Sequence, residues 1–244
     1  MHRFFTDNII EDKAILSHDD SQHAVKVLRL KEGDEVTVCD CRGFDYKGTI
    51  ISADKNSVEL QLSDKRASST ESELNVTLIQ CLPKTGKMEV IIQKCTELGV
   101  SSFIPAVSKR CVVKTDEKSY SSKVERYNKV AYEAAKQSVR GIIPKVNELS
   151  TLDSIDYSAF DVVLIPYEEE TNTTVKQFVV NCDKLNNPGV RIAIIIGPEG
   201  GFEKSEVDNI VNKGGISVTL GKRILRTETA GMATVAMLMG ITEK

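Results

Sequence analysis

The sequence predicts an α/β fold with a largely parallel sheet, preceded by a small module of short β-strands. Residues 1–70 contain short β-branched segments separated by turn signals. After them, apolar strand-like runs alternate with segments of helical periodicity, as in folds that layer helices on a parallel sheet. The polar stretch Ser63–Glu73 between the two parts is the best candidate for a linker. We therefore predict two domains, at residues 1–70 and 71–244.

The individual elements follow from local apolar patterns. In the first domain we predict a helix and three strands: Asp19–Val27, with Ser17 or Asp19 as its cap, then Glu35–Asp40, Tyr46–Ser52 and Ser57–Leu62. Apolar runs in the second domain predict five strands: Leu74–Leu82, Phe103–Val107, Asp161–Pro166, Val190–Gly197 and Ile216–Leu220. Helical spacing predicts five helices: Lys87–Leu98, Ser121–Val139, Thr173–Cys182, Glu203–Lys213 and Thr227–Gly240.

The composition argues against a membrane protein, a secreted protein and a zinc protein. No apolar run approaches the roughly 18–20 residues that span a bilayer, and Met1–Phe5 is followed by polar residues rather than by the apolar core of a secretory signal. We therefore expect a cytoplasmic protein with no membrane partner. The six cysteines include one close pair, Cys39 and Cys41, without the further ligands of a zinc site, so no metal is expected.

Charge is distributed unevenly along the chain. The formal net charge is −3, yet residues 71–150 carry 13 Lys and Arg against 9 Asp and Glu. A local positive surface of this kind is what an RNA partner needs. A solvated helix face would give the same imbalance, so charge alone leaves both interpretations open.

The segment Ile196–Phe202 is a Gly-rich turn that joins a buried strand to a helix. α/β proteins bind ligands at the carboxyl ends of their strands, and glycines let the backbone approach a ligand closely. A tight turn without a ligand is the alternative. The segment is neither a dinucleotide fingerprint nor a phosphate loop, and the carboxylate of Glu199 would repel a phosphate. Pro83–Lys87 resembles a phosphate loop only faintly, since it lacks the first glycine and the Ser/Thr, and we reject it.

A second candidate segment, Leu220–Ala230, runs from the end of a strand into the last helix. Thr227 is predicted to cap this helix, and Glu228 would lie in its first turn, where the helix dipole favours an anion. Capping explains neither Arg226 nor the glycine-containing turn after Leu220.

Together the two segments resemble a known family. Gly-Pro-Glu-Gly-Gly-Phe and Leu-Gly-x-x-Ile-Leu-Arg-x-Glu-Thr-Ala are similar to motifs of the knotted SPOUT methyltransferases, and more narrowly of the bacterial family that methylates N3 of a uridine in 16S ribosomal RNA. Further matching segments are Met1–Phe5, His23–Arg29 with Gly33-Asp34, Lys94–Val100, Arg110, and Glu133–Arg140 with Pro144. The resemblance implies a PUA-like, RNA-binding β-barrel at the N-terminus and a C-terminal domain with a deep trefoil knot. It also implies S-adenosylmethionine as cofactor, the small ribosomal subunit as partner, and a homodimer formed through the knot region.

In such proteins the cofactor lies among the loops that follow the last three strands, the first of which begins here at Pro166-Tyr167-Glu168. The resemblance therefore implies cofactor contact by Pro166, Ile196, Gly197, Pro198, Glu199, Gly200, Gly201, Leu220, Gly221, Ile224, Leu225, Arg226, Thr229 and Ala230. Leu220, Ile224 and Leu225 would form apolar walls, although core packing would explain them equally well.

Arg226 and Glu228 are the candidate catalytic residues. Uridine N3 carries a proton and is a poor nucleophile until that proton is removed, so the reaction needs a base or donors that stabilise negative charge on O2 and O4. Arg226 can supply such donors or hold a phosphate. Glu228 is either the base, an orienter of Arg226, or only a residue of the helix start.

Candidate RNA contacts are His23, Arg29, Arg110, Glu133, Gln137 and Arg140. The spacing of one helix face is shared by Glu133, Lys136, Gln137 and Arg140, although a solvated face with a Glu133–Lys136 pair is the alternative. His23 is equally well explained as a surface histidine. Residues 1–70 are slightly acidic, which is unusual for an RNA-binding module.

Three other functions remain open at this point. A SPOUT enzyme that acts on ribose or on transfer RNA would use the same cofactor loops. A binding module could keep the knot without catalysis, although the intact Arg226-Thr227-Glu228 set argues against this. A nucleotide-binding enzyme would bind ATP or NAD rather than S-adenosylmethionine.

Overall fold

The computed structural model describes residues 2–84, 86–113 and 117–243, except for the side chains of residues 117–119. The chain forms two compact units. One comprises Met1–Glu71 with Ala135–Ile143, and the other comprises Ser72–Ala134 with Pro144–Lys244. The segment Ala135–Ile143, which we expected in the second domain, thus belongs to the first unit. This segment joins the first unit through contacts with residues far away in sequence. Such contacts leave no local sequence pattern, so a boundary drawn near residue 70 places the segment in the wrong domain.

The first unit is built around one six-stranded sheet in the order β1-β4-β5-β6-β3-β2. Its strands are β1 (Arg3–Phe5), β2 (Ile9–Ile10), β3 (Lys13–Ile15), β4 (Glu35–Cys39), β5 (Phe44–Ala53) and β6 (Val58–Ala67). β1 is parallel to β4, and the other neighbours are antiparallel. Phe4, Val36, Val38, Ile50 and Leu60 are buried in its core.

Between β3 and β4, helix α1 (His18–Gln22) continues into a π-helical turn over His23–Val27. The side chain of Ser17 accepts a hydrogen bond from the backbone N–H of Asp20, so the predicted cap is confirmed. The predicted single helix over Asp19–Val27 is instead one short α-helix and one wider turn.

The second unit contains a parallel sheet in the order β10-β8-β7-β12-β11-β13, with β9 beside β8. Its strands are β7 (Asn75–Cys81), β8 (Ser102–Val107), β9 (Lys145–Val146), β10 (Ser150–Thr151), β11 (Val162–Pro166), β12 (Arg191–Ile196) and β13 (Ile216–Val218). Every pairing described for this sheet is parallel, which confirms the predicted class. The helices are α2 (Lys87–Glu97), α3 (Glu117–Gln137), α4 (Val175–Asn181), α5 (Lys204–Asn212) and α6 (Thr227–Thr242).

Two core layers enclose the parallel sheet. Leu78, Leu164, Ile192 and Ile194 belong to one cluster of buried side chains. Ile79, Ile165 and Ile195 belong to the other, because successive residues of a strand point to opposite faces. Strands buried on both faces read as continuous apolar runs, which is why β11 and β12 could be located from sequence.

The predicted linker is wrong in its first half. Residues 63–67 continue β6, pairing with β5 so that Asp45 lies opposite Arg66 and Phe44 opposite Ala67. The side chains of this extension are exposed. A strand with both faces in solvent needs no apolar alternation, and the sequence therefore shows no strand signal there.

The predicted helix over Ser121–Val139 ends two residues early. α3 stops at Gln137, and Val139 has a φ of 60°, in the left-handed region. Arg140 therefore does not lie on the same helix face as Glu133 and Gln137, and that part of the prediction is wrong.

Candidate active site

Three loops meet at the carboxyl edge of the parallel sheet. β12, β11 and β13 are neighbours, with Leu164 opposite Ile194 and Pro166 opposite Val218. Parallel strands end at the same edge, so the loops that follow these three strands lie together. Two adjoining cavities of about 710 and 700 Å³ open between them. The loop that follows β7 joins them, because β7 pairs with β12 on its other side.

The two cavities share part of their lining. Pro166, Glu168, Ile224, Leu225 and Ala230 border both. The first cavity is completed mainly by the segments around Tyr167 and Thr219–Arg223, and the second by residues 196–202 with Lys84, Lys87, Arg226 and Thr227. Ile224 is 89% exposed, so its position is not explained by core packing.

The Gly-rich turn over Ile196–Phe202, called the Gly-rich loop below, requires glycine at two positions. A Cβ atom at Gly197 would lie 3.1 Å from the ring of Phe202, which closes over this residue. Gly201 has a φ of 66°, and a Cβ atom there would lie 2.5 Å from Glu168 Oε1. A side chain at Gly201 would therefore be strained by the positive φ and would displace the Glu168 carboxylate.

Thr227 joins the last helix to the Gly-rich loop. Its hydroxyl donates a hydrogen bond to the carbonyl oxygen of Gly197 over 2.6 Å and accepts one from Gln80 Nε2 over 2.9 Å. The predicted capping role of Thr227 is therefore wrong. Arg226 occupies the N-cap position without a capping side-chain hydrogen bond, and Thr227 is the first helical residue.

An ammonium group lies between two carboxylates at the second cavity. Lys87, the first residue of α2, places its Nζ 3.0 Å from Glu199 Oε1 and 3.1 Å from Glu228 Oε2. Glu199 Oε1 also accepts a hydrogen bond from the backbone N–H of Lys84 over 3.0 Å. α2, the Gly-rich loop and the start of α6 are thereby connected through one side chain, which we call the Lys87 bridge (Lys87, Glu199 and Glu228).

The bridge favours the charged form of all three groups. Burial raises the pKa of Glu199, but backbone N–H groups and Lys87 lower it more, and the net pKa lies below the ordinary value. Glu228 follows the same pattern: burial raises its pKa, and its own backbone N–H, Lys87 and Arg226 lower it further. Hydrogen bonds to Glu199 and Glu228 raise the pKa of Lys87. Glu228 lies in the first turn of α6 as predicted, but as a weakly basic carboxylate paired with a lysine.

Comparison with known proteins identifies the family. A family model for an RNA methyltransferase domain matches residues 70–239, and one for an RNA methyltransferase PUA domain matches residues 16–63. The chain belongs to the RNA methyltransferase family. It is 35% identical over 251 residues to the ribosomal RNA small subunit methyltransferase E of Bacillus subtilis, covering 100% of this chain and 98% of that protein.

Two further relatives support the same family assignment. The protein of the same name from Mesomycoplasma hyopneumoniae is 33% identical over 234 residues, covering 95% of this chain and 96% of its own. The crystal structure of a ribosomal RNA small subunit methyltransferase E from Neisseria gonorrhoeae bound to S-adenosyl methionine superposes with a TM-score of 0.82, at 26% identity. That match covers 99% of this chain and 98% of the other.

The loops of this methyltransferase bring nearly all of the predicted cofactor residues to the two cavities. Thr229 is the exception, since it is exposed and does not line either cavity. Arg226 is exposed, lines the second cavity and, within the described part of the chain, has no hydrogen-bond or ion-pair partner for its guanidinium. It is thus available to a bound substrate.

The predicted RNA contacts have different environments. His23, Arg29, Glu133 and Gln137 are exposed. Arg110 is exposed as well, and its Nη1 donates to the carbonyl oxygen of Gly200 over 3.2 Å, which places it beside the Gly-rich loop. Arg140 differs from them, because its side chain is only 3% exposed and pairs with Glu71 through two hydrogen bonds of 2.9 and 2.8 Å. RNA contact at these positions stays a prediction.

Three further residues at the site, Gln80, Lys84 and Lys87, were not predicted from the sequence. The rejected segment Pro83–Lys87 contributes both lysines to the second cavity, although not as a phosphate loop. One sequence feature could have indicated this role: the segment follows a predicted buried strand, as the Gly-rich loop does. Which strands are neighbours, however, cannot be read from one sequence.

No helix in the described ranges is both long and apolar enough to cross a membrane. Nor do the described residues contain a cluster of three or more His, Cys, Asp or Glu side chains arranged to hold a metal ion.

Proposed function

We propose that this chain transfers the methyl group of S-adenosylmethionine to N3 of a uridine in 16S ribosomal RNA. The observation that carries the proposal is the convergence of three strand-end loops on two adjoining cavities, one of them bordered by Lys87 and Arg226. The names of the relatives, and the S-adenosyl methionine in the Neisseria gonorrhoeae structure, support it. A ribosomal substrate would place the activity in the cytoplasm.

The residues present fit S-adenosylmethionine. Leu220, Ile224, Leu225 and Ala230 offer apolar walls for an adenine, and the backbone of residues 197–201 borders the second cavity beside them. Bound there, the cofactor supplies an electrophilic methyl group on a positively charged sulfur. The protein's contribution is then to orient the uridine in line with that methyl group.

Arg226 is proposed to stabilise the developing negative charge on the uracil carbonyl oxygens. Its guanidinium lines the second cavity, next to the loop that would hold the cofactor. An arginine can donate two parallel hydrogen bonds in a fixed geometry. Glu228, with its lowered pKa and its bridge to Lys87, is poorly suited to remove the N3 proton.

RNA is proposed to contact His23, Arg29, Arg110, Glu133 and Gln137, all of which are exposed. Arg110 has the strongest support, since it contacts the Gly-rich loop. The burial of Arg140 in its pair with Glu71 argues for a structural role at that position.

A homodimer and a trefoil knot complete the proposal. α6 carries no charged residue between Glu228 and Glu243, and its exposed side includes Met237 and Ile241, which are 40% and 41% exposed. Exposed apolar side chains on one helix favour a protein partner, and a second copy of this chain fits the expected pairing. The knot rests on the resemblance to SPOUT enzymes, which the close packing of the three C-terminal loops supports.

Transfer of a tritiated methyl group tests the function. Small ribosomal subunits from a strain that lacks the enzyme should accept the label in 16S RNA, and subunits from the parent strain should not. Labelling of transfer RNA instead would favour another branch of the family. Calorimetry that detects ATP or NAD binding but no S-adenosylmethionine binding would contradict the proposal.

A further inference from the structure

Three cationic side chains, Lys84, Lys87 and Arg226, line the second cavity, and the last two differ in how firmly they are fixed. Lys87 is held at 3.0 and 3.1 Å by Glu199 and Glu228, whereas Arg226 has no such partner among the described residues. An ammonium group has three donors, and the two carboxylates form ion pairs with it from two sides. The Lys87 side chain is 26% exposed, so its third donor can reach a molecule in the cavity.

The chemistry of the uracil ring calls for two cations. N3 lies between the carbonyl groups at C2 and C4, and loss of its proton places the negative charge on both carbonyl oxygens. Preorganised donors stabilise charge most when they are aimed at the atoms on which the charge develops. A single guanidinium on one side of the ring leaves the opposite oxygen to be satisfied by another group.

We propose that Lys87 is a further catalytic residue, whose ammonium donates a hydrogen bond to one uracil carbonyl oxygen while Arg226 serves the other. This inference rests on the proposed uridine-N3 methylation. Glu199 and Glu228 act as positioning residues, since they fix the ammonium at the edge of the cavity and keep it protonated. Neither carboxylate is required to remove the N3 proton.

The reaction then balances without a protein base. Hydroxide from solvent takes the N3 proton and becomes water. The N3 electron pair forms the bond to the methyl carbon, the carbon–sulfur bond breaks, and its electron pair stays on sulfur. Lys87 and Arg226 keep their protons throughout and act by stabilising the anion.

The charged side chains around the second cavity sum to zero, so stabilisation of an anionic acceptor depends on the placement of individual donors rather than on a net positive charge. The Lys87 bridge carries a net charge of −1, since it contains one ammonium and two carboxylates. Lys84 and Arg226 line the same cavity and add two positive charges, while Glu168 adds one negative charge. Without Arg226, the two lysines and three glutamates sum to a net charge of −1. Arg226 brings the net charge of the site to zero before the uridine anion forms.

Single-turnover methylation of small subunits between about pH 6 and about pH 9.5 tests the role of Lys87. Removal of one oxyanion donor costs about 100-fold in rate, so Lys87→Met should be about 100-fold slower than wild type near pH 7. Hydroxide becomes more abundant as the pH rises, and the ring ionises without help. The rate of wild type should reach its plateau at a lower pH than the rate of Lys87→Met. The ratio of the two single-turnover rates should therefore shrink at least about tenfold by pH 9.5.

Controls separate catalysis from structure. Lys94→Met removes a lysine from the same helix, where it pairs with Glu97 at 2.9 Å, and should match wild type at every pH. Lys87→Arg keeps a cation and should recover most of the lost rate. If Lys87→Met fails to fold, Lys87→Gln replaces it in the same series, with S-adenosylmethionine affinity measured by calorimetry for each variant.

A deficit of equal size at all pH values would overturn the proposal, because it would show a structural role. A rate for Lys87→Met, or for Lys87→Gln in its place, within about threefold of wild type near pH 7 would also overturn it. The wild-type reaction is digested to nucleosides in parallel. If it contains no 3-methyluridine, the proposed function itself fails, whereas 3-methyluridine with either of those results for Lys87 refutes this inference alone.

Discussion

The hydroxyl of Thr227 donates a 2.6 Å hydrogen bond to the carbonyl oxygen of Gly197, and so ties the first turn of the last helix to the Gly-rich loop. The same hydroxyl accepts a hydrogen bond from Gln80, a fully buried residue of β7. Elements that lie far apart in the chain are therefore fixed together at the floor of the second cavity. The geometry of the candidate site depends on this buried contact as well as on the residues that border the cavity.

Replacement of Thr227 by valine should weaken both folding and cofactor binding. Valine has nearly the same shape but removes the hydroxyl that the Gly197 carbonyl and one N–H of the Gln80 amide bind. Gln80 then keeps its bond to the Cys81 carbonyl, and the loss of the hydroxyl costs about 1–3 kcal/mol of unfolding free energy. Thr227→Ser keeps the hydroxyl and should stay close to wild type. Urea unfolding and calorimetric titration with S-adenosylmethionine measure the two effects. Equal stability of the valine and serine variants would show that the hydrogen bonds contribute little.

Gly201→Ala should reduce affinity for S-adenosylmethionine at least tenfold, because its methyl group would displace Glu168, which borders both cavities. A positive φ also strains alanine by about 1–2 kcal/mol. Gly214→Ala is the matched control, since Gly214 has a φ of 93° and open space around its Cβ position. Both variants should lose similar stability, and only Gly201→Ala should lose affinity. Equal affinities would contradict the assignment of the loop to the cofactor.

Arg226→Ala should slow single-turnover methylation about 100-fold while leaving S-adenosylmethionine affinity within a few-fold of wild type. The reason is that its guanidinium is proposed to act on the uridine rather than on the cofactor. Arg226→Lys keeps the charge without the planar fork and should give an intermediate rate. A single-turnover rate of Arg226→Ala within a few-fold of wild type would remove Arg226 from the catalytic residues.

Arg140→Ala should destabilise the protein by about 3–5 kcal/mol, because it leaves the Glu71 carboxylate without its buried partner. Arg191→Ala breaks an exposed pair with Asp161 and should change stability little. Urea unfolding of the two variants measures the contrast. Should Arg140→Ala fold as stably as wild type yet bind ribosomal RNA more weakly, the original assignment of Arg140 to RNA contact would be restored.

The class of fold could be predicted from local sequence patterns, and most of the cavity lining from the resemblance to the SPOUT family. Buried strands such as β12 are continuous apolar runs, and the Gly-rich turn after that strand marks a ligand site. What could not be predicted depends on which strands are neighbours. Lys87 reaches Glu199 and Glu228 only because β7 pairs with β12, and the sequence contains no local trace of that pairing.

The same limit explains the errors elsewhere. Thr227 has the residue type of a helix cap, but the proximity of the Gly197 carbonyl gives its hydroxyl a different partner. Arg140 has helical spacing from Glu133, yet Val139 leaves the helix with a positive φ and the arginine pairs with Glu71. In each case a tertiary contact outweighs a local preference.

The most direct test of the central claim is mass spectrometry of nucleosides from 16S ribosomal RNA. Small subunits from a strain that lacks the enzyme are incubated with the purified protein and S-adenosylmethionine, and the RNA is mapped fragment by fragment. We expect 3-methyluridine at one position. A methyl group on a ribose or on another base, or unmodified RNA with an active and folded enzyme, would contradict it.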